Sequence, residues 1–536
     1  MTELKKLNDN YITYCLYTII GLYFFLGLFM LLKLPEEITT WDPGLCIKMA
    51  ENGTKNIPFN YYSHPNPQDI SKDQAEFVTW WSPGQFALPM LLQKCLGLKI
   101  SMAIKLLTAT CMFLSAWGIF KLFSIFLNSN DLSAKATSRK RMIVLLLLLY
   151  VVISPFYRNE WTVYDGGGIL LSAYCPWFIL LVISLKKINF LNLTLVLAMG
   201  ILGFFLKASF TSIFAGALLY LLLTFSISPG PKTDIRRILL NAIFLGITLV
   251  AYILVIRFAF LSRGINIMGS SSGHRFQIGI IAFPLVAPVF GVFSFDRLIH
   301  SYQWVVGCIA VLPVYYFILK SRHVSLHYKQ ILVSFILTCF CFYALIYFLN
   351  YDVSYELRHY TVISILLIPA IFLLFNGARA GKYIFVIFII AYLGFNTFDF
   401  VSKFRQSKDY MEGLGAGSIP GYSADILNQV HLLDDQNKNN GKDIFYFASD
   451  NPAVALEVVH NRVLLADNFV NFHFNNKAKY RPVLYYGRNS GEIYIIYSLA
   501  KFKADSALYL TRFEKYGDFK KIYQSAGFAI FKAIPR

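Results

Sequence analysis

The chain has 536 residues, of which 56% are hydrophobic and only 15% charged, with a mean hydropathy of +0.53. Soluble proteins carry about 25% charged residues, so a single long soluble enzyme is excluded, and so is a disordered chain. Lys and Arg outnumber Asp and Glu by 49 to 30, a net charge of +19 whose meaning depends on where the charges lie.

A membrane helix needs roughly 20 mostly apolar residues. In chain order the sequence predicts eleven spans, near 11–34, 101–126, 142–156, 168–185, 189–206, 208–227, 237–260, 301–320, 331–350, 360–376 and 382–400. The first follows Lys5 and Lys6 and lacks an A-x-A cleavage site, so it reads as a signal anchor. With the N-terminus inside, the short cytoplasmic loops and their flanks hold 16 positive residues in about 55 positions. The opposite loops hold about 10 in about 117. This follows the positive-inside rule. Net charge is therefore mainly a topology label, and nucleic-acid binding loses its support.

Eleven crossings place residues 401–536 outside. This region is polar and free of Cys, with an amphipathic helix expected over Tyr422–Leu433. Strand-like runs follow at Ile444–Phe447, Arg462–Leu465, Val483–Tyr486, Ile493–Tyr497, Ala507–Leu510 and Phe528–Phe531. The fold expected is a polytopic α-helical membrane protein (residues 1–400, including external loops 35–100 and 258–300) with a small external C-terminal α/β domain (401–536).

The eight cysteines contain no CxxC pair and mostly sit in apolar runs, which argues against a cysteine zinc site. Walker A, GxGxxG, GxSxG and HExxH motifs are all missing. Polar chemistry concentrates in the external loops instead. The loop over 35–83 carries Trp41-Asp42-Pro43-Gly44, His64, and Trp80-Trp81-Ser82-Pro83-Gly84. The apolar segment Gln85–Leu98 after it is expected to lie flat at the outer interface. Asp42 suits a helix N-cap followed by Pro, and equally a carboxylate placed to take a proton from an attacking hydroxyl.

Asp165 precedes Gly166-Gly167-Gly168 at the mouth of a span, either as a helix cap or beside a ligand that the glycines let approach closely. Lys207 stands alone between two spans in an otherwise uncharged stretch from Asn189 to Ser226. It reads as snorkelling to headgroups or as a functional cation. Glu356, Arg358 and His359 lie in the run entering a late span, where a phosphate can meet both charge and free N–H groups. Arg275, within Gly273-His274-Arg275, adds a weaker signal.

Together these features resemble the GT-C superfamily of membrane glycosyltransferases, in particular the group of protein O-mannosyltransferases and lipid A aminoarabinose transferases. The resemblance rests on Asp42 in a large first external loop, the closing WWSPGQFALP element, Asp165, Lys207 and the Glu-Leu-Arg-His-Tyr run. It departs from the group where Trp81 and Ser82 replace the Glu-Lys pair that aminoarabinose transferases carry, and where Asp42 lacks an acidic neighbour.

What the resemblance implies is inverting transfer of a sugar from a polyprenyl-phosphate donor to an acceptor hydroxyl on a glycan, lipid or protein, outside the cytoplasmic membrane. Asp42 would be the general base and Asp165 the second acid. Lys207, Arg358, His359 and Arg275 would bind the donor phosphate, while Trp41, His64, Trp81 and Glu356 would position donor or acceptor. No cofactor is implied, and a divalent metal is left open without being indicated. The rival functions are a transporter or flippase of lipid-linked glycans and a non-catalytic assembly subunit. Transporters place charge near the midplane in symmetric halves, whereas these spans show neither feature.

Overall fold

The computed structural model describes residues 2–33, 61–77, 82–98, 100–127, 134–154, 164, 166–226, 235–261, 278–293, 301–349, 356–376, 381, 383, 387–398, 401, 424–448, 452–465, 484–499, 512–525 and 527–536. Trp41, Asp42, Trp81, Asp165 and Arg275 lie outside the described residues.

Among the described residues, six helices are long and apolar enough to cross a membrane, over Tyr11–Phe29, Met102–Phe126, Gly167–Ser184, Ile235–Ala259, Leu326–Phe348 and Leu357–Phe375. Shorter apolar helices cover Phe190–Leu206, Phe210–Ser226, Gly279–Phe293, Trp304–Lys320 and Ile387–Phe398. A further helix, Ala134–Ile153, opens on a polar, basic stretch and becomes apolar from Ile143. Each predicted span therefore has a helical counterpart.

Their ends have local causes. Asn189 caps one helix by accepting from the Asn192 N–H at 2.8 Å, and Ser325 caps another by accepting from Tyr328 at 3.2 Å. The Phe190–Leu206 and Phe210–Ser226 helices are joined by only three residues, Lys207 to Ser209. They close tightly because Gly203 has no Cβ; one built there would sit 2.3 Å from the Phe210 ring.

One apolar helix was not expected from the sequence. Gly279–Phe293 lies inside the segment read as an external loop over 258–300, and most of its side chains are buried. At 1.5 Å per residue, its 15 residues extend about 22 Å, short of the roughly 30 Å hydrocarbon core. It is a packed insert of the bundle, with Phe283 against Tyr347 and Tyr360.

The C-terminal region forms a five-stranded sheet. Its strands are β3 (Ile444–Phe447), β4 (Arg462–Leu465), β5 (Ile493–Ser498), β6 (Tyr516–Gln524) and β7 (Phe528–Pro535), in the order β4-β3-β5-β7-β6. The first three are parallel, and β7 and β6 join antiparallel. The amphipathic helix runs over Ala424–Gln436 and sends Ile426, Leu427 and Val430 into the core beneath one face of the sheet. Of the expected strands, Val483–Tyr486 is reduced to an isolated bridge at Tyr485, and Ala507–Leu510 lies outside the described residues.

Two pieces of the first long loop pack onto this sheet region. A hairpin of β1 (Tyr61–Asn66) and β2 (Asp69–Phe77) docks through Ile70 N–H to Tyr486 O and Tyr486 N–H to Pro67 O, at 2.8 and 2.9 Å. Arg462 locks it, donating to Asp73, to the carbonyls of Ile70 and Lys72, and to Asn489. Then the Gly84–Leu96 helix places Phe86, 2% exposed, in the same core as Ile426 and Phe445. Its N-terminal half packs between bundle and sheet, while Leu91 and Leu96 stay exposed. In the other direction, Leu456 from the C-terminal region packs among Ile104, Tyr164, Ile169 and Leu206 of the bundle.

Candidate active site at the sheet-facing end of the bundle

The Gly84–Leu96 helix, the start of Gly167–Ser184, the Lys207 turn and the 3-10 turn Leu357–Tyr360 converge at this end. Gly84 rests on the Phe205 carbonyl, since a Cβ there would lie 2.7 Å from that oxygen. Tyr164, buried, donates its hydroxyl to Gln85 O at 2.6 Å, which ties the Gly84–Leu96 helix to the segment leading into Gly167.

Lys207 is the C-cap of the Phe190–Leu206 helix, in extended backbone conformation. Its aliphatic stem crosses Gly167: a Cβ at Gly167 would sit 2.7 Å from Lys207 Cδ and 2.9 Å from Cγ. The ammonium lies within electrostatic reach of both Cys175 and His359. Among the described residues it has no carboxylate partner.

The Gly167–Ser184 helix begins with Gly166 as its N-cap, at φ 74°, and among the described residues no side chain caps its first N–H groups. Asp165, the residue before Gly166, lies outside the described residues. Uncapped N–H groups and the positive end of the helix dipole favour an anion. Gly167 carries no Cβ, so Lys207 can reach across this end.

His359 and Arg358 approach from the Leu357–Tyr360 turn. Tyr343 holds it in place: its hydroxyl donates to His359 O at 3.2 Å and also hydrogen-bonds Ser209, two residues from Lys207. Beneath lies an aromatic layer in which Tyr343 and Tyr360 rings are 4.7 Å apart. His359 Nε2 is buried with no hydrogen-bond partner among the described residues. Arg358 also acts electrostatically on His359, and it is ion-paired with Glu356, both side chains about half exposed. That pairing leaves Lys207 as the uncompensated cation among the described residues of the cluster.

His64 is elsewhere. It is buried in the β1–β2 hairpin, its ring within hydrogen-bonding distance of Pro65 O at 3.1 Å and Gln74 at 3.2 Å. No described contact links it to Lys207. Among the described residues no three His, Cys, Asp or Glu side chains are grouped to hold a metal ion. Gln85 and Tyr343 belong to the site but escaped sequence reasoning. Each is an ordinary residue of an apolar helix, with no local signal to mark it.

No protein-family model matches the chain, and no curated protein matches it in sequence. Among solved structures it is similar to ArnT from Cupriavidus metallidurans in the apo state, at 10% identity and a TM-score of 0.48, over 97% of each chain. It is likewise similar to the apo oligosaccharyltransferase of Archaeoglobus fulgidus, at 10% identity and a TM-score of 0.48, over 98% of this chain and 74% of that one. At this level of similarity, the function of the chain has to be argued from its own residues.

Proposed function

We propose that the protein is an integral membrane glycosyltransferase of the GT-C kind, moving a sugar from a polyprenyl-phosphate donor to an acceptor hydroxyl on the external side of the cytoplasmic membrane. The observation that carries this reading is Lys207, laid over the start of the Gly167–Ser184 helix, with neither a carboxylate partner nor a side-chain helix cap among the described residues. An anion-accepting cradle at the end of an apolar bundle suits a phosphate attached to a lipid chain. An external site also suits a lipid-linked donor, since nucleotide sugars are made in the cytoplasm.

In this reading the acceptor oxygen attacks the anomeric carbon in line, and the bond from that carbon to the phosphate oxygen breaks. Asp42 takes the acceptor proton. Charge develops on the leaving polyprenyl phosphate and is met by Lys207 and the helix N–H groups, with Arg358, His359 and Arg275 around them. Asp165 orients the reactants, and Trp41, Trp81 and Glu356 line donor or acceptor. One displacement inverts the anomeric centre.

Two substitutions test the assignment in membranes supplied with a polyprenyl-phosphate sugar. Lys207→Met should lower transfer about 10²–10³-fold, the usual effect of removing one donor to a developing oxyanion. Asp42→Asn should lower it about 10²–10⁴-fold, as expected for loss of a general base. Full transfer by either variant at normal membrane levels would overturn that residue's role.

A further inference from the structure

The turn that opens the Gly84–Leu96 helix presents buried polar groups, one of them beside Gly167. Gln85 is 6% exposed, and its Nε2 lies 2.9 Å from where a Cβ would stand on Gly167. It therefore flanks Gly167 together with the stem of Lys207. Its backbone carbonyl is taken by the Tyr164 hydroxyl. Ser82, three residues earlier, is 3% exposed, and its Oγ has no hydrogen-bond partner among the described residues. His359 Nε2, within electrostatic reach of Lys207, is a second such atom.

Buried polar groups are nearly always hydrogen-bonded. Two unsatisfied groups, with a buried amide that flanks Gly167 beside the Lys207 stem, are what a site looks like before its ligand arrives. A carboxamide is suited to a phosphate, because it donates N–H groups without adding charge. The one uncompensated cation, Lys207, then matches the single negative charge of a phosphodiester.

We propose that Gln85 is a donor-binding residue, its amide Nε2 donating to a phosphate oxygen of the lipid-linked sugar while Lys207 meets the same group across Gly167. This rests on the glycosyltransferase function proposed above and adds a specific residue to it. Phe86, the next residue, is rooted in the core under the C-terminal sheet. The position of the amide is thus fixed from the sheet side and that of Lys207 from the bundle side.

The test uses the full chain in lipid nanodiscs, with farnesyl phosphate as probe and farnesol as its uncharged counterpart. The wild type should bind farnesyl phosphate more tightly than farnesol. Gln85→Leu should weaken farnesyl phosphate binding about tenfold, the loss expected for one hydrogen bond to a charged group. Gln85→Glu keeps the shape but supplies a carboxylate to Lys207, so it should weaken binding further. Farnesol binding and the melting temperature should not change in Gln85→Glu, which keeps the test meaningful if the leucine variant folds poorly. Unchanged farnesyl phosphate binding in Gln85→Glu would overturn the role of Gln85, as would equal loss of both probes. A wild type that does not distinguish the two probes would instead overturn the donor class itself.

Discussion

Lys207 and Gly167 touch: the lysine stem lies so close to the glycine that a Cβ would fall 2.7 Å from Cδ. The contact joins the turn between two short helices to the N-terminus of a third, and brings charge to free N–H groups. Gly167→Ala should therefore act on the lysine more than on the fold, because the atoms in the way are flexible side-chain carbons and the Gln85 amide. We expect transfer to fall about 10²-fold, the scale of a misplacement near 1 Å, with little change in melting temperature. Parallel activity and thermal-unfolding measurements check this; unaltered transfer would contradict it.

Arg462 holds the β1–β2 hairpin through its whole guanidinium, with donor distances of 2.8 to 3.1 Å. Asp73 is largely exposed and adds little; the carbonyls of Ile70 and Lys72 matter more. Arg462→Ala should cost about 2–3 kcal/mol. Hydrogen exchange should quicken first at residues 61–77. Arg462→Lys, which lacks the planar fork, should recover little of the protection.

Phe86 couples the bundle to the sheet. Phe86→Ala should cost about 3–5 kcal/mol, as for other fully buried phenylalanines. The loss should appear as easier proteolysis within residues 424–536 as well as lower activity. A variant that loses neither would show that the two regions are independent.

Asp443 gives the C-terminal region a pH dependence. Burial is the main cause that lifts its carboxyl above the usual 3.8, outweighing the Glu492 N–H that donates to it at 2.9 Å. The folded state then holds a proton more tightly than the unfolded one. Its contribution to stability is full below the ordinary carboxylate value and is lost as pH rises through the raised value. Asp443→Asn cannot titrate and should flatten that part of the profile. Thermal unfolding of the detergent-solubilised chain from pH 4 to 7 checks this; identical slopes in both proteins would contradict it.

The spans were legible because apolar runs of membrane length have few alternative fates. The strands β3, β4, β5 and β7 were legible because they are apolar and short, bounded by polar residues. The Gly279–Phe293 helix was hidden by Pro284 and Pro288, which punctuate a soluble sequence but are tolerated where neighbouring helices cover the backbone. The hairpin over 61–77 has no alternation, and two prolines near its turn. Its stability comes from Arg462, nearly 400 residues away in sequence. Lys207 was found because its charge is conspicuous in a long apolar stretch. Gln85 was not, because its role depends on Gly167 and Lys207 meeting in space.

The most direct measurement is turnover by the purified chain in proteoliposomes, given a panel of polyprenyl-phosphate sugars and membrane-derived acceptors. The account predicts sugar transfer with release of polyprenyl phosphate, opposite anomeric configuration in the product, and loss of both in Lys207→Met. Movement of intact lipid-linked glycan across the bilayer, with no sugar transferred from any donor, would contradict it.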